Sequence, residues 1–364
     1  MTSRGVMPPA GSRSGDNDPN ERRPITSRDL LDLRFVGDPR IAPGGDQVVW
    51  VERWIEADRN EYRSNLYAAP AAGEAAPAPL TTGPGIDRAP RWSPDGRWLA
   101  FLSDRPLPSG GAGKGARSGG GKAAGSSGRG DEKPRPQLYL LPARGGEARP
   151  ITRFKRGAGP AVWSPSGRYV AVIAQVHPDR GLEAVGDPEP GEDDPYRRYT
   201  RGVKVIRRLA YKLDGVGYFT EHRHHVVVLD LGEGDAHLLG GGAGGASGAV
   251  ASGGHGSAGG TGPGGTGPAA GGAASGAAGV PCVQLTAGEY DVRSVAWMPS
   301  GRQLVVVTNP HPDADRQPWT DVYLVPFDPE GAAAGGGDPL DLSRDPLPQG
   351  VRKLTLSDID AYEA

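Results

Sequence analysis

The 364-residue sequence predicts an all-β fold: a β-propeller of four-stranded blades, about four of them, forming an incomplete ring. Three observations point there. A strand–turn–strand signature recurs along the chain. A third apolar strand follows each copy. A short fourth strand, ending in Leu-Thr or similar, closes each unit. A single sheet of this kind cannot bury both of its faces, and radial stacking of units supplies the missing partners. An unrelated all-β sandwich with one common turn is the alternative, and copies in the same strand order weigh against it.

The clearest copy is Arg91-Trp92-Ser93-Pro94-Asp95-Gly96-Arg97-Trp98-Leu99-Ala100-Phe101. Trp92 is a large apolar anchor. In the turn, Pro presets φ, Asp bonds its local backbone, and Gly takes φ > 0. Trp98 to Phe101 runs apolar without alternation, as a strand covered on both faces does. The signature returns at Trp163-Ser164-Pro165-Ser166-Gly167 and at Trp297-Met298-Pro299-Ser300-Gly301, with a worn copy at Ile41-Ala42-Pro43-Gly44-Gly45. The third strands are Asn65 to Ala69, Gln137 to Leu141, His225 to Leu229 and Asp321 to Val325. The fourth strands are expected at Pro79-Leu80-Thr81, Pro150-Ile151-Thr152, Gln284-Leu285-Thr286 and Asp341-Leu342-Ser343.

In chain order, residues 1–23 read as a disordered leader, and the propeller region runs over 24–343. It starts with a short capped helix around Ile25 to Leu33, with Ser27 as the expected N-cap. The blades are placed at about 35–82, 89–152, 160–286 and 290–343, with a tail over 344–364. Two Gly-rich insertions, 109–130 and 240–280, interrupt the second and third blades and are expected to be disordered. In the third blade, Tyr211-Lys212-Leu213-Asp214-Gly215-Val216-Gly217-Tyr218 reads as an aromatic-flanked Asp-Gly hairpin.

Composition narrows the function. The net charge of −2 offers no general electrostatic case for nucleic acid. Cys282 is the single cysteine, so an intramolecular disulfide is impossible. The first residues carry no apolar signal core and no apolar run approaches transmembrane length, so a cytoplasmic protein without membrane contact is expected.

The turn repeats occur in many propellers, WD40-like and TolB-like ones included. More specific are Arg207-Arg208-Leu209-Ala210-Tyr211-Lys212-Leu213-Asp214-Gly215-Val216-Gly217-Tyr218 and Gln284-Leu285-Thr286-Ala287-Gly288-Glu289-Tyr290-Asp291-Val292 leading into Ala296-Trp297. Together these resemble the N-terminal propeller region of S9 (prolyl oligopeptidase) serine peptidases, in the acylaminoacyl-peptidase / dipeptidyl-peptidase branch. The resemblance covers roughly 27–343 apart from the Gly-rich tracts. It implies a propeller that precedes an α/β-hydrolase domain and restricts access to its active site. The catalytic Ser, Asp and His would lie in that domain. No Gly-x-Ser-x-Gly nucleophile elbow occurs here: Gly125-Ser126-Ser127-Gly128-Arg129 and Gly245-Ala246-Ser247-Gly248-Ala249 each miss the last Gly. No catalytic residue and no cofactor is therefore assigned. The simplest expectation is an N-terminal piece of such a peptidase, inactive alone, with peptide substrates reached through the absent hydrolase domain.

Other candidates carry bland readings beside the sharp ones. His222-Arg223-His224-His225 could put His222 and His224 on one strand face as metal ligands, but no completing ligand is in register and Arg223 opposes a cation, so no metal is assigned. Glu192-Asp193-Asp194 is an acidic loop cluster whose default is a solvated loop. Lys114, Arg117, Lys122, Arg129, Lys133 and Arg135 make the first tract basic, without the interleaved aromatics of a nucleic-acid groove and without a P-loop. Trp92, Trp163 and Trp297 are expected as packing anchors rather than a ligand cage. Two functions compete: the gating module of a serine peptidase, and a non-enzymatic TolB-like propeller that presents loops to a protein partner. Open blade edges add an expectation of self-association.

Overall fold

The computed structural model describes residues 24–73, 75–107, 134–178, 180–185, 209, 211–213, 217–218, 222–232, 280–314, 316, 319–333 and 338–355. The leader 1–23, the insertion 109–130 and nearly all of 240–280 lie outside them, as do Glu192-Asp193-Asp194 and the basic residues of the first tract other than Arg135. Before the first strand, a 3-10 helix spans Ser27–Leu31. Thr26, not Ser27, caps it: the Asp29 carboxylate accepts from the Thr26 N–H at 2.6 Å and from its hydroxyl at 3.0 Å. Ser27 already lies inside the turn, so the cap falls one residue earlier.

Four antiparallel four-stranded sheets follow. The first holds β1 (Phe35–Ile41), β2 (Gln47–Glu56), β3 (Glu61–Pro70) and β4 (Ala78–Pro79). The second holds β5 (Asp87–Trp92), β6 (Trp98–Ser103), β7 (Gln137–Pro142) and β8 (Arg149–Pro150). The third takes β9 (Val162–Trp163) and β10 (Tyr169–Val176), passes a separate hairpin of β11 (Lys212–Leu213) and β12 (Gly217–Tyr218), and continues with β13 (Arg223–Asp230) and β14 (Cys282–Gln284). The hairpin agrees with the aromatic-flanked turn, whose centre, Asp214 to Val216, lies outside the described residues. After β15 (Thr286–Ala287), the fourth sheet takes β16 (Val292–Trp297), β17 (Gln303–Thr308) and β18 (Asp321–Pro326), skips β19 (Leu340–Asp341), and ends with β20 (Arg352–Lys353). The sheets are propeller blades arranged in series, and among the described residues they do not close into a ring.

The last blade departs from the sequence expectation. Asp341-Leu342-Ser343 is not its outer strand, and the blade does not end at 343. Leu340–Asp341 instead pairs in parallel with Thr286–Ala287 and ties blade 4 to blade 3. The outer strand is Arg352–Lys353, and the closing Leu-Thr is Leu354-Thr355. The reason is a hydrogen bond common to all blades. Thr81, Thr152, Thr286 and Thr355 accept, through Oγ1, the N–H of Leu66, Leu138, Val226 and Val322 at 3.0, 2.8, 3.0 and 3.1 Å. The Thr at that step meets an N–H of the third strand in each blade, and the serine at 343 bonds Asp341 instead.

Burial follows blade position. Every residue of Trp98–Ser103 in blade 2 is buried, because neighbours cover both faces of that sheet. Gln303–Thr308 in blade 4 alternates between half-buried and buried, the pattern of a strand covered on one face. Three cores fill the joints. Val49 and Leu66 meet Leu99, Phe101, Tyr139 and Leu141 between blades 1 and 2. Ala100, Leu102, Leu138 and Leu140 meet Val170, Val172, Val227 and Leu229 between blades 2 and 3. Tyr169, Ala171, Val226 and Val228 meet Leu304, Val306, Tyr323 and Val325 between blades 3 and 4.

Candidate functional site

The joints between blades are the most regular feature of the molecule. Each Trp of the turn signature packs at a joint and also donates its indole N–H backwards. Trp92 Nε1 reaches Arg40 O at 3.3 Å, Trp163 Nε1 reaches Arg91 O at 3.1 Å, and Trp297 Nε1 reaches Val162 O at 3.0 Å. The acceptor is always the residue just before the anchor position of the preceding blade. The turn glycines obey the same rule. A Cβ placed on Gly96, Gly167 or Gly301 would lie 3.5, 3.7 or 3.8 Å from Cδ of Pro43, Pro94 or Pro165 of the preceding turn. These glycines hold φ of 69, 74 and 68°, where an L side chain is strained. The anchor reading of Trp92, Trp163 and Trp297 therefore holds, and the polar half of their role has no signature of its own in the sequence.

In blades 2 and 3 the turn serine organises the hairpin. Ser93 and Ser164 are buried, and their hydroxyls accept the N–H of Trp98 at 2.9 Å and of Tyr169 at 3.0 Å. Where third-strand ends differ, the joints differ. Arg168 forks onto Asp230, with both bonds at 2.9 Å. Blade 2 has Pro142 at that register position, so Arg97 folds back onto Asp95 at 2.6 Å. An open cleft of about 880 Å³ remains there between the turns of blades 1 and 2, with Trp92, Trp98, Arg97, Asp46 and Pro70 among its walls.

At the opposite ends of the strands, polar side chains gather. Asp87 is fully buried and pairs with Arg105 at 2.7 Å, whose guanidinium lies over the Phe101 and Tyr139 rings. The His222 to His225 stretch divides its duties. His222 Nε2 meets Glu183 at 2.9 Å, and Arg180 approaches the same carboxylate at 3.2 Å. Burial presses the His222 pKa down to about 4, against the pull of Glu183. Burial also resists the Glu183 charge, but His222, Arg180 and Lys155 outweigh it and hold that carboxyl below its ordinary range. His224 meets Asp291 through both its backbone N–H, at 2.8 Å, and Nδ1, at 2.9 Å. Arg223 reaches Glu289 at 3.1 Å. His222 and His224 thus serve separate carboxylates, and no metal-holding group of three ligands exists among the described residues.

His225 lies 3.2 Å from the Thr286 hydroxyl, a base beside a hydroxyl. The pair is structural. Thr286 is fully buried and accepts the Val226 N–H, while His225 Nε2 donates to Gly288 O at 3.0 Å. That leaves Nδ1 to accept from the hydroxyl. Burial lowers the His225 pKa to about 4 and keeps the ring neutral. In blade 2, Gln137 occupies the same step, accepting from Thr152 at 2.9 Å and donating to Phe154 O at 2.8 Å. In blade 4, Asp321 accepts from Thr355 at 2.8 Å. A polar residue at the start of the third strand clasping the blade's closing Thr is a recurrent device, with no access for substrate.

No family model matches the chain. Among curated proteins it is 30% identical over 217 residues to a Bacillus subtilis (strain 168) protein described as "Uncharacterized peptidase YuxL"; the match takes in 59% of this chain and 27% of that protein. The chain thus spans well under a third of the relative's length. Among solved structures, the uncomplexed Pyrococcus horikoshii acylaminoacyl peptidase aligns at 13% identity and TM-score 0.46, over 90% of this chain and 33% of that one. A Mycobacterium tuberculosis puromycin-hydrolyzing peptidase aligns at 15% and 0.43, over 92% and 34%. The β-propeller domain of the Pyrococcus furiosus Trilobed protease aligns at 12% and 0.37, over 81% and 55%. The sequence match to a peptidase and the repeated blade order agree with the chain's resemblance to the N-terminal propeller region of S9 peptidases.

Proposed function

We propose that the chain is the substrate-gating propeller of a longer S9-type serine peptidase, placed before a hydrolase domain that carries the catalytic Ser, Asp and His. The 30% identity to a peptidase over 217 residues carries this reading. The joints support it physically: indole bonds and proline–glycine contacts hold the blades in fixed register, as a rigid screen in front of an active site requires. At the polar ends of blades 3 and 4, Glu289, two-thirds exposed and paired with Arg223, and Asp291, partly exposed and bonded by His224, are carboxylates that an approaching peptide would meet. A cytoplasmic setting belongs to the same proposal and draws on the single, buried Cys282. Among the described residues no helix is long and apolar enough to cross a membrane.

The competing reading is an interaction module without an enzyme. Hydrolysis assays separate the two. The purified 364-residue chain is expected to leave acyl-peptide and dipeptidyl substrates intact. The polypeptide extended past that point is expected to cleave one of them and to be blocked by a serine-directed inhibitor. An extended polypeptide that is inert, yet captures a protein through its loops, would favour the interaction module.

A further inference from the structure

Each joint between blades has a corner, at the turn end of the strands, built from three positions. The first is the residue that opens the second strand and closes its own turn: the carbonyls of Gln47, Trp98 and Tyr169 accept the N–H of Ala42, Ser93 and Ser164 at 2.8, 2.8 and 2.9 Å. The second is the anchor Trp of the next blade. The third is the residue just past that blade's third strand: Ala143, Leu231 and Phe327 donate their N–H to the carbonyls of Arg97, Arg168 and Arg302 at 2.9, 2.9 and 2.8 Å. Between blades 3 and 4 the corner is Tyr169, Trp297 and Phe327. The buried Phe327 ring stands edge-on to the other two, at 4.9 and 5.1 Å. Between blades 2 and 3 the corner is Trp98, Trp163 and Leu231, packed in one core.

Between blades 1 and 2 the same positions hold Gln47, Trp92 and Ala143. A polar side chain and a methyl group replace the two large apolar partners of the Trp, and all three residues line the open cleft of about 880 Å³. Pockets that hold small ligands run to roughly 300–1,000 Å³. The Trp92 N–H is engaged by Arg40 O, so what the indole offers the cleft is its ring. Opposite charges flank that ring. Asp46 on the blade 1 wall and Arg144 on the blade 2 wall are exposed and form no ion pair among the described residues. Arg97 is already held by Asp95 at 2.6 Å.

We propose that this cleft binds a short peptide with free termini and an aromatic side chain. The aromatic ring packs against Trp92, in the place that Phe327 fills between blades 3 and 4. The ammonium group faces Asp46 and the carboxylate faces Arg144. An aromatic side chain suits the space better than a small one, because both apolar partners of Trp92 are lost at the same corner. The site lies at the turn end of the strands, away from Glu289 and Asp291 at the other end. It is therefore a second peptide contact beyond the gating reading, and it stands whether or not a hydrolase domain follows.

Titration calorimetry with the tripeptide Gly-Phe-Gly tests it. The unaltered chain should bind this peptide about tenfold more tightly than Gly-Ala-Gly, the difference a buried ring makes. Arg144→Ala and Asp46→Ala should each weaken binding about threefold, the scale of an exposed ion pair, and leave binding of the acetylated and amidated peptide unchanged. Ala143→Phe installs the group that blade 4 carries, so it should hold or raise the melting temperature and abolish binding. No binding by the unaltered chain, equal affinity for the two tripeptides, or binding that survives Ala143→Phe would overturn the proposal. If Ala143→Phe does not fold, the two surface variants decide: an affinity unchanged in both overturns it. Self-association of the unaltered chain that Ala143→Phe removes would make a second copy the occupant and overturn it as well.

Discussion

Trp297 and Val162 lie 135 residues apart in sequence, and the indole N–H of the first donates to the carbonyl of the second at 3.0 Å. This bond and its two counterparts make each anchor both the packing wedge of its joint and the peg that sets the register of one blade on the next. Trp297→Phe keeps the ring and removes the donor, so it should cost about 1 kcal/mol in urea unfolding, the net worth of one hydrogen bond. Trp297→Ala also removes the packing and should cost about 3–5 kcal/mol. Trp92→Phe should cost less than Trp297→Phe, because its bond is longer, at 3.3 Å, and more exposed.

The clasp threonines should rank by the number of partners they satisfy. Thr152 is fully buried and serves both Leu138 N–H and Gln137 Oε1. Thr152→Val leaves the Leu138 N–H unpaired and Gln137 Oε1 with the Phe154 N–H alone, and should destabilise by about 1–3 kcal/mol. Thr355→Val should release the outer strand Arg352–Lys353, seen as faster amide exchange at Val322 and Leu324 with little change in blades 1 and 2.

The fold was readable from the chain because turn chemistry is local. Ser-Pro-Asp-Gly and its copies carry their own φ preferences, and the strand order recurs around them. Two kinds of feature escaped. Leu354-Thr355 was hidden because the connection after Val325 is long and Asp341-Leu342-Ser343, lying earlier, imitates the motif; spacing alone cannot say which Thr or Ser reaches Val322 N–H. The equivalence of His225, Gln137 and Asp321 was hidden because the clasp requires hydrogen-bonding capacity and not a residue type. The same tolerance let His222 to His225 suggest a shared metal face, although His222, His224 and His225 meet different neighbours, Glu183, Asp291 and Thr286.

Buried neutral histidines tie stability to pH. His222 and His225 have folded pKa values near 4, below the ordinary value of 6.5. The unfolded chain therefore binds more protons between these values, and stability falls as pH drops from about 6.5 toward 4, by up to about 1.4 kcal/mol per pH unit per histidine. Above about pH 7 neither contributes a slope. His225→Gln places at blade 3 the residue that performs the clasp in blade 2, so it should keep the stability at pH 7 and shrink the loss at pH 5. Unfolding curves at the two pH values check it; an unchanged loss would remove His225 from the account.

Asp87 and Arg105 form a buried pair in which the carboxylate has no exposure. Arg105→Leu strands that charge and should cost about 3–5 kcal/mol. Adding Asp87→Asn should recover part of the loss, because a neutral amide is cheaper to bury than an unpaired carboxylate. A double variant no more stable than the single one would contradict this.

The reading of this chain as the screen of a peptidase is tested most directly by the coding sequence just beyond codon 364, translated in all three frames. The account predicts a further set of blades and, after the propeller, a Gly-x-Ser-x-Gly nucleophile elbow between a strand and a helix. Neither feature in any frame would contradict it and leave a propeller that works without a hydrolase.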